Sequence, residues 1–228
     1  MLNAIAIVPA TPLVVPELAG SAAVETAGLR EAVTAAAAAL PQQWLAVGAG
    51  PADGVVGPDL AGTFAGYGVD IPVTLGPTPG AATTGLPLCA LIAAWIRGRV
   101  NPVGSAQVHV YADSCAPDTA VAHGRRLRAA IDTSADTIGV LVVADGVHSL
   151  GPSAPGGYRP DSVAVQRALD DALAAGDTAA LTRLPDSVVG RVPYQVLAGL
   201  AGPEPRAARE LFRGAPYGVG YFVGVWKP

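Results

Sequence analysis

Charge is scarce in this chain. Only 14% of its 228 residues are Asp, Glu, Lys or Arg, against the roughly 25% usual for soluble domains, so much of the surface must be Ala, Gly and backbone. Lysine is nearly absent: Lys227 is the single one among 14 basic residues, a bias that reads as coding composition rather than chemistry. A formal net charge of −4 leaves no basic field to neutralise phosphates, which excludes nucleic acid as an expected partner. Arg125, Arg126 and Arg128 do cluster, but on one predicted helix, where they read as a solvated face. The two cysteines, Cys89 and Cys115, form no CxxC pair and are too few for a disulfide framework. A reducing compartment, the cytoplasm, is therefore expected. Long apolar runs are missing too. The stretch Leu86 to Ile96 covers 11 residues, short of the roughly 20 that cross a bilayer, so no membrane span is expected. The apolar opening, Met1 to Pro16, has no positive start and is broken by Pro9, Pro12 and Pro16. It reads as a buried strand rather than a secretion signal. Histidine is limited to His109, His123 and His148.

What is present is apolar and punctuated. A hydrophobic content of 51% is ample for a sizeable core, and one domain over 1–228 is the expectation. Leu2 to Val8, Trp44 to Val47, Gln107 to Tyr111 and Ile138 to Ala144 read as near-continuous apolar strands, covered on both faces. Helical stretches fall between them: Ala22 to Leu40, Leu86 to Arg97, Pro117 to Ile131, and Ser162 to Ala175 between Asp161 as N-cap and Gly176 as C-cap. Strands alternating with helices predict a three-layer α/β fold with a mostly parallel or mixed central sheet flanked by helices. The Gly- and Pro-rich segment Ala49 to Gly80 offers only short strand-like pieces such as Val69 to Thr74. It is expected to form hairpin and loop over one end of the sheet. The alternation of Tyr217, Val219, Tyr221, Val223 and Val225 with glycines predicts a last strand over Tyr217 to Trp226.

The chemistry is expected where the run IGVLVVA ends in DGVHSLGPSAPGGYRPD. Open α/β sheets bind ligands beyond the carboxyl ends of their strands, and Asp145 and His148 stand there. Histidine changes charge near neutral pH, as an acid/base group must; the plainer reading is a hydrogen-bonded histidine pinning an irregular loop. Other signals are weaker. Gly48-Ala49-Gly50 with Gly54 and Asp70 has a faint dinucleotide spacing, but Pro51, Gly54, Gly57 and Pro58 forbid the helix on which a pyrophosphate would sit. Ser114 and Cys115 in YADSCAP follow a strand, yet no nucleophile elbow surrounds Ser114 and no basic neighbour of Cys115 is visible. Capping by Asp113 or Ser114 explains that segment.

The stretch VVADGVHSLGPSAPGGYRP resembles a loop of the LigB-like class III extradiol ring-cleavage dioxygenases, which reads as a strand, then Gly-Asp-x-Ser-His, then Pro-x-Ala-Pro-x-Gly-Tyr. The opening AIAIVPATPLVVPELAG resembles the family's Pro-His-Pro-Pro-Leu start, and APYGVGYFVGVW its closing strand, so the likeness runs end to end. It implies the family's fold and, where activity is retained, a mononuclear Fe(II) held by two His and a carboxylate, with a loop histidine, here His148, moving protons. At the ligands the likeness fails. The opening histidine corresponds to Ala10, a second to Ala52 in GAGPADG, and an Asp-His-Gly to Thr83-Thr84-Gly85. Methyl groups offer iron no lone pair. His109 reads as a core or edge histidine and His123 as a helix-surface one. Asp53, Glu17, Glu204 and Glu210 could supply carboxylates, but oxygen ligands alone suit Mg²⁺ or Ca²⁺ better.

The expectation is a homologue without cofactor that has lost its iron ligands and keeps a cleft, bordered by Ala10, Ala52, Thr84, Asp145, His148 and Tyr158, for a small, aromatic molecule or a protein partner. A first alternative is an active iron enzyme with unconventional or partner-supplied ligands, His148 as acid/base and Tyr158 or Asp145 orienting it. A second is a metal-free hydrolase or lyase built on His148 and Asp145. Members of the family often pair, which leaves a homodimer open.

Overall fold

The computed structural model describes residues 1–78, 80, 85–203 and 207–227. In chain order the elements are β1 (Leu2–Val8), α1 (Pro16–Ala19), α2 (Ala27–Ala37), β2 (Gln43–Gly50), β3 (Gly54–Val56), β4 (Ala61–Thr63), β5 (Pro72–Thr74), α3 (Leu88–Val100), β6 (Ser105–Ala112), α4 (Pro117–Thr133), β7 (Ile138–Val143), α5 (Asp161–Ala175), α6 (Thr178–Leu181), α7 (Arg191–Ala201), β8 (Ala207–Gly214) and β9 (Tyr221–Lys227). Seven strands form one sheet in the order β3-β6-β2-β7-β1-β9-β8, and β4 pairs with β5 in a separate hairpin-like ribbon. Within the large sheet β6, β2, β7 and β1 run parallel, while β3 and β9 are antiparallel to their neighbours. The sheet is therefore mixed, with a parallel centre.

Side chains alternate across each strand, and both faces of the sheet are covered. Ala6, Val8, Trp44, Ala46, Val108, Leu141 and Val143 meet α2 and α3 on one face. Ile5, Ile7, Leu45, Val47, Val140 and Val142 meet α4, α5 and α7 on the other. This is why the central strands read as unbroken apolar runs, and it gives the three layers expected. No helix among the described residues is long and apolar enough to cross a membrane.

Four local expectations change. The helix expected from Ala22 starts at Ala27 as α2, because Gly20–Ala23 forms a 3₁₀ turn and Arg30 ties that turn down through the Thr26 hydroxyl and the Ala23 carbonyl. Asp161 lies in the first turn of α5 rather than at its cap, which is Pro160, while Gly176 closes the helix at φ 70° as expected. The last strand starts at Tyr221. Pro216–Gly218 turns instead, and Tyr217 adopts φ 61°, so its side chain leaves the strand's face. Finally, α7 has no counterpart in the sequence pattern. Its sequence RVPYQVLAGLA is buried all round, so no 3.6-residue polar stripe marks it, and Pro193 and Gly199 read as breakers. Pro193 is tolerated because it lies in the first turn.

Gly199 has a packing reason. Helices α4 and α7 approach so closely that a Cβ at Gly199 would lie 2.0 Å from the Val121 carbonyl oxygen, and one at Gly124 would lie 2.0 Å from that of Val196. These are backbone atoms, so neither helix can yield locally. Gly124→Ala and Gly199→Ala should each cost about 1–3 kcal/mol of stability, measured by urea unfolding. Unchanged midpoints would contradict the close crossing.

Candidate functional site

Parallel strands end on the same edge of a sheet, so the residues that follow them converge. Here β1 runs out into Ala10, β7 into Asp145, β2 into Gly50 and β6 into Asp113. They meet the first turns of α3 and α7. A cavity of about 210 Å³ lies at this edge, its walls including Ala10, Ala49, Cys89, Asp113, Asp145 and Pro193.

Asp145 is the polar centre of this hollow. The Ala10 N–H donates to its carboxylate at 2.7 Å, and the Gly190 N–H donates to its backbone carbonyl at 2.9 Å. Among the described residues no cation pairs with it. Burial pushes its carboxyl up to about 7, and the Ala10 hydrogen bond only partly offsets this. Two phenols stand nearby in neutral form. Tyr194 donates to the Ala144 carbonyl at 3.0 Å, and burial holds it well above its ordinary value. Tyr221 donates to the Thr11 hydroxyl at 3.1 Å, and burial pushes it to about 12. Cys89 stands in the first turn of α3, pressed so tightly on β2 that a Cβ at Gly48 would lie 2.2 Å from its own Cβ. Burial drives this thiol up to about 12, so it lines the cavity as a neutral thiol and not as a nucleophile.

The other residues proposed from sequence are spread out. His148 is exposed and is not on the cavity wall. Its carbonyl accepts from the Gly156 N–H at 2.8 Å, curling the loop back on itself, and its ring has no hydrogen-bond partner among the described residues. The segment carrying it is held by others. Gly146 and Leu150 donate to the carbonyls of Gly220 and Gly218, and the Val147 N–H donates to Gln166 Oε1 at 2.9 Å. Tyr158 and Ala52 are exposed, away from the cavity. Thr83, Thr84 and Glu204 lie outside the described residues. Of the residues proposed to border the cleft, the cavity thus brings together Ala10 and Asp145.

The remaining histidines gather elsewhere. His109 on β6 lies alongside Tyr111, and His123 on α4 rests on the same ring at 4.5 Å, its Nδ1 accepting from Arg126. Burial lowers both imidazoles. Asp53 accepts the Ala112 N–H at 2.7 Å, Glu17 faces Arg99, and Glu210 pairs with Arg213. Cys115 has a basic neighbour after all, since Arg191 donates to its carbonyl at 3.2 Å. Burial and Asp53 nevertheless leave its thiol raised. Among the described residues no three His, Cys, Asp or Glu side chains come together as a metal site. Sequence reasoning assigns Asp113 only a capping role and leaves Cys89, Gly190 and Pro193 unplaced. Asp113 follows β6 as Asp145 follows β7, so the strand-end rule could have found it; nothing local marks the other three.

No protein-family profile matches the sequence, and no curated protein matches it. Among solved structures, the fold is similar to that of an uncharacterized protein from Escherichia coli K12, with a TM-score of 0.62 and 11% identity over 99% of this chain and 100% of that one. At that identity the likeness speaks for the architecture alone.

The protonation of Asp145 is measurable. Its folded value of about 7 exceeds the ordinary 3.8, so folding takes up a proton. The stability this contributes is full below about pH 4 and is lost as pH rises through about 7. Asp145→Asn, which stays neutral, should therefore gain on the wild type across that window, by up to about 1.4 kcal/mol per pH unit. Denaturant unfolding of both proteins at pH 4 to 8 reads the difference; a pH-independent difference would contradict a carboxyl desolvated without a cation.

Proposed function

We propose that this chain is a class III extradiol dioxygenase-like protein that has lost its iron ligands and uses the strand-end cavity to bind a small aromatic molecule. The observation that carries this reading is Ala10: its methyl lines the cavity where the resemblance calls for an imidazole. Fe(II) sites of that kind need two histidines and a carboxylate. Among the described residues, the ligating side chains on these walls are Asp113, Asp145 and Cys89. Asp145 is half protonated near neutrality and Cys89 stays a thiol. Two carboxylates also fall short of the six to eight oxygens that calcium takes. The residues present do not fit iron.

The same walls suit a ring. A cavity of about 150 Å³ with apolar lining can hold benzene, so about 210 Å³ accommodates one substituted ring and little more. Ala10, Ala49, Val143 and Pro193 supply apolar contact, while Asp145 can donate or accept a hydrogen bond, fixing one polar substituent. At about 210 Å³ the cavity is too small to serve as a docking face for a protein.

Purified protein incubated with Fe(II) should retain no stoichiometric iron and should take up no oxygen with catechol. It should still bind phenol by calorimetry, and Ala10→Leu, which fills the hollow, should weaken that binding at least about tenfold. One iron per chain with catechol-dependent oxygen uptake would overturn the reading. His148→Ala should leave phenol binding within about twofold, because the ring of His148 is outside the cavity; a large loss would return that histidine to the site.

A further inference from the structure

Resting on that reading, we infer that the ligand is a single-ring compound carrying an ammonium group, with its ring in the inner chamber and its cation at Asp113. The cavity does not end at its walls. A second, outer hollow of about 500 Å³, lined by Asp113, Asp186, Val188, Val189 and Arg191, shares Asp113 and Val189 with the inner one. The two form a chamber and a vestibule, with Asp113 at the junction.

The charges along this path are unequally compensated. Arg191 is committed: its Nε meets Asp186 at 3.2 Å, one terminal nitrogen donates to Gln195 Oε1 at 3.0 Å, and the other donates to the Cys115 carbonyl at 3.2 Å. It neutralises Asp186 and is only 11% exposed. Asp113 has neither a cation nor a hydrogen-bond donor on its carboxylate among the described residues, and partial burial raises its pKa. Deeper in, Asp145 has the Ala10 N–H and no cation. Cys89 from α3, the other titratable side chain on the chamber wall, is neutral, and so are Tyr194 and Tyr221, which are buried behind that wall. The positive ends of α3 and α7 also meet this edge, each worth about half a charge, and the Gly190 N–H is already taken by the Asp145 carbonyl. Among the described residues the path therefore carries two carboxylates without a cation, while its guanidinium, Arg191, is engaged at Asp186. An anionic ring would be repelled, and a neutral ring would gain burial alone. A ring bearing an ammonium gains the same burial and adds an ion pair with Asp113 at the mouth of the chamber.

Three isosteric probes test this: 2-phenylethylamine, 2-phenylethanol and phenylacetate, titrated calorimetrically at pH 7.5 and low salt into the wild type and Asp113→Asn. Asp113 is exposed, so the variant should fold, which circular dichroism checks. The amine should bind the wild type at least about tenfold more tightly than the alcohol, with phenylacetate weakest, and Asp113→Asn should bring the amine-to-alcohol ratio to within about twofold. Alcohol or phenylacetate binding as tightly as the amine, or a ratio that Asp113→Asn leaves unchanged, would overturn the inference while ring binding stands. Binding of none of the three would overturn both.

Discussion

The parallel pairing of β1 with β7 is the contact on which the site depends. Its register sets Val8 opposite Val143 and continues through the Ala144 N–H to the Val8 carbonyl, so the chains leave the sheet side by side. Two residues further, the Ala10 amide and the Asp145 carboxyl are within hydrogen-bonding distance. Slippage of that register by one residue would turn Ile5 and Ile7 to the wrong face, and both faces are filled. The core thus fixes the position of the carboxyl, and with it the polar centre of the cavity.

The same burial that fixes Asp145 determines its chemistry. Helix α7 is buried beyond Arg191 and packs at the strand ends through Pro193, removing water from Asp145, while its one cation, Arg191, is engaged at Asp186. Desolvation without compensation raises acids, and Asp145, Cys89, Tyr194 and Tyr221 all move in that direction. We propose that such a chamber suits an organic ring better than a divalent metal. Asp113, at the rim, meets solvent without a cation among the described residues. The tie from Gln166 to the Val147 N–H, with its own amide donating to the buried Asp170, holds the loop beyond Asp145 on α5 and turns His148 outward.

Much of the fold was legible because burial on both faces writes itself as continuous apolar runs. The four central parallel strands and helices α3, α4 and α5 followed from that rule and from Pro117 and Gly176. Helix α7 was illegible because Pro193 and Gly199 read as breakers inside a run with no polar stripe, whereas α3, equally buried from Cys89 to Arg97, has neither residue in that run. The 3₁₀ turn at Tyr217 was hidden because a non-glycine residue at φ 61° leaves no mark in an alternating pattern. At the site, Asp145 could be read because it directly follows a strand, and Ala10 only because the family resemblance sets it at the opening histidine. His148 stood three residues further on than Asp145, far enough for the loop to turn it away. Cys89 and Gly190 enter through tertiary packing, which spacing along the chain does not encode.

The central claim is that the strand ends enclose a metal-free chamber shaped for one ring. A crystal structure of the protein grown with Fe(II) and 2-phenylethylamine, with anomalous data collected at the iron edge, tests it directly. The account predicts ring density between Ala10 and Pro193 with no anomalous peak beside Asp145. An iron peak coordinated at that position, or an empty chamber with the ring bound elsewhere, would contradict it.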